Sequence, residues 1–295
     1  MSDAAGAPFA GPPSTALAAF LQATELEPEH RRLMDEHHRP IDWAASTATT
    51  LPAALRAGLA ELWRTRATSE HRSIGIFNLY ALDLLGAGAP VEMLSLACRA
   101  ALDEVRHTEL FCRLASLYSG APESPPPGIP PMPDDPEIPI RLQVAREALH
   151  LSVVSESYSC ALLSQLHERA RDPAVKGALA AVLADEIHHA RMGWSLLSLL
   201  LERDGDGALR AYLQADLEPA LEQFVRDLFD DPKSLPAASL QGDERALAEQ
   251  HGYSAIRDEY ALFHACVRDV WIPGLTGLGL DAASLVDKFP PPVWD

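Results

Sequence analysis

Two short segments of the sequence combine acidic residues with histidine at a spacing that suits metal binding. The first reads Asp-Glu-Val-Arg-His and contains Glu104 and His107. The second reads Asp-Glu-Ile-His-His and contains Glu186 and His189. A glutamate and a histidine three residues apart point the same way on a helix, and both side-chain types bind transition metals. Two such pairs predict one shared metal site.

The apolar periodicity predicts the elements that would bring these pairs together. Hydrophobic residues recur at steps of three, four and seven over four long stretches, as on the buried face of a helix. The predicted helices run from about Pro52 to Leu85, Val91 to Tyr118, Arg141 to His167 and Ala174 to Arg203. Glu70 falls in phase on the first apolar stripe and Glu156 on the third. An acidic residue on a buried stripe breaks the local rule and indicates a function.

The positions of the glutamates relative to the predicted turns test whether they meet. In two antiparallel helices joined by a short loop, residues equidistant from the turn lie at the same height, because each residue rises about 1.5 Å. Ala87, in the Gly-Ala-Gly turn, lies midway between Glu70 and Glu104. Arg171, in the Arg-Asp-Pro turn, lies midway between the glutamates of the third and fourth helices. Both pairs are therefore expected to be level.

A proline-rich segment connects the second and third helices. Ser119–Ile140 comprises 22 residues, nine of them proline, and we expect an extended, semi-rigid crossover. In polyproline conformation it would reach roughly 68 Å at about 3.1 Å per residue. A parallel second and third helix would require a climb of roughly 43 Å at about 1.5 Å per residue, so that arrangement is allowed. An antiparallel arrangement would also bring the levels close.

The order of the six candidate ligands resembles that of a known superfamily. They are one glutamate, a Glu-x-x-His pair, one glutamate and a second Glu-x-x-His pair: Glu70, Glu104, His107, Glu156, Glu186 and His189. This is similar to the ligand set of ferritin-like di-iron carboxylate proteins. The resemblance covers about Pro52 to Arg203. It implies an all-α, ferritin-like four-helix bundle with a long proline-rich crossover between helices 2 and 3, holding two iron ions or a manganese–iron pair.

The residues beside the ligands extend the resemblance. The Asp-Glu-x-Arg-His string is similar to that of oxygen-activating bacterial multicomponent monooxygenases and close to that of acyl-carrier-protein desaturases. It implies that Asp103 and Asp185 hydrogen-bond the histidine of the facing helix, with Arg106 in the same supporting layer. Solvated acids beside the site are the alternative. His188 departs from the pattern, because arginine would stand there, and it is a surface, supporting or alternative-ligand residue.

Cys160 follows Glu156 by one helical turn and should face the same space. It is either a small core residue or a redox or substrate-contacting residue. Tyr158 and Trp194 are close in sequence to ligands, and the sequence does not separate an electron-path role from packing.

The remaining chain predicts additions to one domain. Residues 1–14 are expected to be disordered, residues 15–289 to form a single helical domain with its bundle core at 52–203, and residues 290–295 to be an irregular tail. Extra helices are expected before and after the bundle. They cover Ala16–Gln22, Ala208–Phe229 with a break near Pro219, and Tyr253–Trp271. His37 and His38 are interpreted as surface residues.

Composition excludes several classes of protein. The formal net charge of −18 argues against a partner bound mainly through phosphates, so no nucleic-acid partner is expected. The four cysteines form no Cys-x-x-Cys pair, which argues against a zinc ribbon or a rubredoxin-like iron centre. No secretory signal and no membrane span are visible, so a cytoplasmic location is expected.

The favoured function is a di-iron oxygenase or oxidase that uses O₂ to oxidise a small organic substrate. Hydroxylation, N-oxygenation, desaturation and oxidative cleavage remain open. No flavin, iron–sulfur or nucleotide motif is visible, so electrons would come from a separate ferredoxin or reductase, or from peroxide. Arylamine N-oxygenases resemble this layout but carry an extra histidine where this chain has Val182, which counts against that subclass.

Three alternatives stand beside this function. A ferroxidase or iron-storage protein would assemble into a cage, whereas a monomer or homodimer fits the oxygenase. A transfer-RNA hydroxylase shares the ligand pattern but is disfavoured by the acidic charge. A binding module without chemistry is disfavoured because all six ligands are present.

Overall fold

The computed structural model describes residues 40–125, 138–229, 240 and 242–290. These residues are almost entirely helical and include no β-strand, which confirms the all-α class. Several predictions lie outside the described residues: those for residues 1–14, for Ala16–Gln22, for His37 and His38, and for all but one residue of the tail. Most of the crossover also lies outside, so its path stays a prediction.

Four long helical stretches carry the candidate ligands. Helix α1 is Ala53–Gly86 and α2 is Val91–Ser119. Helix α3 has three consecutive segments, an α-helical Ile140–Glu147, a π-helical Ala148–Ser155 and an α-helical Glu156–Arg169. Helix α4 is Pro173–Glu202. Each of the four lies close to its predicted range, but the π-helical segment was not predicted.

Further helices follow these four. They are α5, Ala208–Phe229; α6, Gly242–Gln250; α7, which joins Ile256–Cys266, a π-helical Val267–Trp271 and Ile272–Gly277; and α8, Leu285–Lys288. No described helix has the length and apolar character needed to cross a membrane.

Short-range signals set the ends of the long helices. Proline precedes or opens each of them, where its missing N–H group is tolerated. Gly120 ends α2 with a φ of 78°, which glycine adopts without steric cost. Asp172 caps α4 by accepting hydrogen bonds from the backbone N–H groups of Ala174 and Val175, both at 3.1 Å.

Two hydrophobic clusters divide the length of the four long helices. One contains the amino-terminal half of α1 and α4 with the carboxyl-terminal half of α2 and α3, including Trp63, Phe111, Leu166 and Val175. The other contains the opposite halves together with residues of α5 and α7. Helices α1 and α4 therefore point one way, and α2 and α3 point the other way. Five of the six candidate ligands lie in sequence between the two clusters, and Glu156 lies between Val154 and Tyr158 of the second cluster.

Two predictions about the later helices are wrong. Helix α5 is not broken at Pro219, because the helix continues through the proline and buries Leu217 and Leu221 on either side of it. The helix predicted for Tyr253–Trp271 starts later and ends at Gly277. It passes Pro273 because that residue falls in the first turn of the segment that follows the π-helix.

One residue of the predicted apolar stripes is also misplaced. The apolar spacing of the second helix puts Val91 in phase with Ala97, Ala101, Phe111 and Leu114, which predicts a buried residue, yet Val91 is 74% exposed. It is the first residue of α2 and directly follows the Gly-Ala-Gly-Ala-Pro turn. Ala97, Ala101, Phe111 and Leu114 of the same predicted stripe are buried.

Candidate metal centre

The four long helices bring all six predicted ligand residues into one cluster. Each residue offers one oxygen or nitrogen atom, and these atoms form two groups of four that could each hold a metal ion. Within each group the four atoms all lie within 4.8 Å of one another. Glu70 therefore lies level with Glu104, and Glu156 with Glu186, as the turn positions predicted.

The two groups overlap, and the overlap defines the geometry of the centre. Site A is formed by Glu70, Glu104, His107 and Glu186, and site B by Glu104, Glu156, Glu186 and His189. Glu104 and Glu186 belong to both sites. A carboxylate shared in this way can bridge two cations, whereas the other four residues can each reach only one site.

The cluster is buried, although not equally on all sides. Glu104, His107, Glu186 and His189 are each at most 2% exposed. The Glu70 side chain is 17% exposed and is the ligand nearest to solvent. Four acidic groups so far from water require positive charge beside them, because burial strongly disfavours an unpaired carboxylate.

Both histidines turn Nε2 toward an aspartate and Nδ1 toward the glutamates. Nε2 of His107 lies 3.2 Å from Oδ2 of Asp185 on the facing helix, and Nε2 of His189 lies 3.4 Å from Oδ2 of Asp103. Nδ1 of His189 lies 3.1 Å from Glu186. If Nε2 carries the hydrogen and donates it to the aspartate, the Nδ1 lone pair is left for a metal. The contacts implied for Asp103 and Asp185 are therefore present.

Each aspartate is paired with an arginine of α2. Arg106 Nη1 lies 3.0 Å from Asp185 Oδ2, and both side chains are at most 10% exposed. Arg99 Nε lies 2.7 Å from Asp103 Oδ1, with the arginine side chain 40% exposed. The sequence interpretation included Arg106 but missed Arg99. Its position four residues before Asp103 on one helix was the available signal.

The neighbouring pair of histidines in the second motif has one inward and one outward member. His189 is buried in the cluster, whereas His188 is exposed on the surface of α4. The surface interpretation of His188 is thus supported by the geometry, and His188 belongs to neither group of possible ligands. Because Arg99 pairs with Asp103, position 188 need not carry the arginine found in the first motif.

Interactions within the cluster raise the pKa values of both histidines and of Glu70. Although burial opposes charge on His189, hydrogen bonds to Asp103, Glu104 and Glu186 outweigh it and raise the histidine pKa to about 12. The pKa of His107 is likewise raised well above its usual value. Burial and the neighbouring glutamates raise the pKa of Glu70 to about 8. Protons therefore compensate the buried acids when no cation does so.

Two buried atoms of the cluster fit a bound cation better than they fit protons alone. Glu104 Oε2 and His107 Nδ1 are buried with no hydrogen-bond partner, although they lie 3.6 Å apart. Buried polar atoms are rarely left in this state, since each costs about 1–3 kcal/mol. Both atoms belong to residues of site A, and a metal ion bound to them would satisfy both. The residues of site A therefore fit a bound metal ion.

The residues with uncertain roles around Glu156 take ordinary contacts in the structure. Trp194 Nε1 donates a hydrogen bond to Ser157 Oγ at 3.1 Å, and Tyr158 OH reaches the backbone carbonyl of Glu259 at 3.4 Å. Burial, with smaller contributions from Glu186 and Glu156, raises the pKa of the Cys160 thiol to about 12. The Cys160 thiol therefore stays protonated at neutral pH.

Comparison of the chain with protein-family models, with curated proteins and with solved structures finds no match.

Proposed function

We propose that this protein binds two iron ions in sites A and B and uses them to activate O₂ for oxidation of a small organic substrate. The overlap of the two sites at Glu104 and Glu186 carries the proposal, because shared carboxylates hold two cations near each other. The order of the ligands along the chain supports the ferritin-like di-iron class. A manganese–iron pair would use the same donors.

The chain's own residues have distinct tasks in this proposal. Glu70 and His107 would hold one cation, Glu156 and His189 would hold the other, and Glu104 and Glu186 would be available to both. When bound, the metal pair supplies the electrons that reduce O₂. Asp103 and Asp185 fix the histidine rings, and each aspartate forms an ion pair with an arginine of α2.

The surroundings of the cluster favour a reaction with a small molecule that enters between the four long helices. The hydrophobic clusters on both sides keep bulk water from the ligands, which strengthens charge interactions inside. Glu70 is the most exposed ligand, so the α1 side is where a small substrate and O₂ would approach. A separate electron donor, such as a ferredoxin with its reductase, or peroxide would complete the reaction.

Anaerobic titration with Fe(II), followed by exposure to O₂, tests the proposal. We expect binding to stop at two irons per chain and the oxidised protein to show an oxo-bridge charge-transfer band. Failure to bind any transition metal after iron supplementation would contradict the proposal. An iron-storage protein would instead continue to oxidise and retain Fe(II) well beyond two equivalents, and it would elute as a cage on size-exclusion chromatography.

A further inference from the structure

Helix α4 approaches the π-helical segment of α3 very closely just beyond the metal cluster. Gly193 lies one helical turn after His189, and Ser152 lies one turn before Glu156. A Cβ atom placed on Gly193 would overlap with Cβ of Ser152 and would lie 3.1 Å from the carbonyl oxygen of Ala148. The space at position 193 is therefore filled by α3.

Glycine is required at position 193 for space and not for its backbone conformation. The residue lies inside α4, and its φ is not positive. The atoms that a Cβ would meet belong to the backbone and the Cβ of the π-helical segment, so no flexible side chain can move aside. An alanine at 193 would have to push Ala148–Ser155 away from α4.

The π-helical segment leads directly into a ligand. Ala148–Ser155 ends at the residue before Glu156, and its contact with α4 lies one turn from that glutamate. Glu156 contributes to site B and not to site A. A shift of the segment would therefore move a ligand of one site only.

We propose that Gly193 is a positioning residue for site B, because its contact with Ser152 sets the distance between α4 and the π-helical segment and thereby places Glu156. This inference rests on the proposed two-metal function. It assigns the π-helical segment a definite task, which is to deliver the one ligand of site B that comes from α3.

Titration with Co(II), followed by optical spectroscopy and metal analysis, tests this role without any catalytic assay. The natural protein should bind two cobalt ions per chain. The Gly193→Ala variant should keep the first ion and bind the second about 10- to 100-fold more weakly, the range seen when supporting residues of metal ligands are changed. A protein that was only generally weakened would lose both ions together.

Paired variants separate the contact from other effects of alanine. Ser152→Gly combined with Gly193→Ala removes the overlapping Cβ and should recover most of the second binding event. Ser152→Ala combined with Gly193→Ala keeps that Cβ and should not. Gly177→Ala is the matched control on the same helix, because the three atoms nearest to its Cβ would all belong to the Ile41 side chain, the closest at 3.0 Å. It should bind two ions.

The outcomes distinguish this inference from the proposed function. If the natural protein does not bind two cobalt ions, the two-metal function fails. If it does, and Gly193→Ala binds both ions with unchanged affinity, the positioning role is wrong although the function stands. If Gly193→Ala does not fold, the two double variants decide. Binding of two ions by the double variant with Ser152→Gly, but not by the double variant with Ser152→Ala, supports the positioning role. Equal metal binding by the two double variants overturns it.

Discussion

The α1–α2 half and the α3–α4 half of the molecule supply the same ligand types through different supports. Each half contributes one glutamate from its first helix and an Asp-Glu-x-x-His segment from its second. Helix α1 is one 34-residue α-helix around Glu70, whereas α3 changes to π-helix immediately before Glu156. A repeated ligand pattern therefore does not require repeated backbone geometry.

The supporting charges are also unequal between the halves. Both arginines that pair with the histidine-binding aspartates, Arg99 and Arg106, come from α2. The α3–α4 half supplies neither and carries the exposed His188 at the position equivalent to Arg106. A departure from the motif in one half is thus compensated by a residue of the other.

Substitution of the shared ligands should have the largest effect. Glu104→Gln or Glu186→Gln removes a ligand of both sites and should abolish binding of both metal ions. Glu70→Gln and Glu156→Gln each remove a ligand of one site and should leave one ion per chain. Metal analysis after gel filtration measures the stoichiometry. Loss of both ions in all four variants would mean that the halves do not form separable sites.

Removal of the two supporting arginines should affect stability unequally. Arg106→Ala removes the arginine partner of the buried Asp185, and breaking a buried pair costs about 3 kcal/mol. Arg99→Ala breaks a pair whose arginine is 40% exposed, which contributes at most about 1 kcal/mol. Urea unfolding of the metal-free proteins measures both. Equal losses of unfolding free energy would contradict the expectation that the buried pair contributes more than the partly exposed one.

A pH-dependent contribution to the stability of the fold is expected where α1 meets the start of α3, away from the metal cluster. Burial, together with a hydrogen bond and charge interaction with Asp83, raises the pKa of Glu147 to about 8. The folded protein therefore retains a proton that the unfolded chain releases at lower pH. Stability from this residue is full below the unfolded pKa and falls as pH rises toward 8.

Glu147→Gln should remove that dependence. We expect the difference in unfolding free energy between variant and natural protein to change by about 1–2 kcal/mol from pH 5 to 8, with the variant gaining relative stability as pH rises. Denaturant unfolding at a series of pH values gives this difference and cancels titrations common to both proteins. A constant difference across the range would argue that Glu147 ionises normally.

The smallest effect is expected at His188. His188→Ala removes an exposed side chain that belongs to neither site. The variant should therefore bind the same number of metal ions as the natural protein, and its unfolding free energy should change by less than about 0.5 kcal/mol. His189→Ala is the matched change one residue later and should remove the site B ion. If His188→Ala also lost that ion, the assignment of inward and outward histidines would be wrong.

The sequence predicted the parts of the structure that depend on regular periodicity. The four long helices and the level placement of Glu70 with Glu104 follow from apolar spacing and turn positions. The π-helical segment could not be predicted, because Ala148–Ser155 is an ordinary apolar stretch and the extra residue per turn leaves no mark in residue type. The close approach at Gly193 depends on that segment, so it could not be foreseen either.

Other misses have different physical causes. Pro219 predicted a break in α5, but packing of the neighbouring residues keeps the helix continuous. Arg99 could have been found from its spacing to Asp103, yet a partly exposed arginine on a helix usually has no specific role. The ferritin-like class and the oxidation chemistry stay predictions, since they rest on the ligand pattern.

X-ray absorption at the metal edge of the iron-loaded protein tests the central claim most directly, because it reports whether two ions share ligands. If Glu104 and Glu186 bridge sites A and B, two irons per chain should bind and a metal–metal scattering path should appear at about 3–4 Å. Two irons without such a path, or a single iron per chain, would contradict the account.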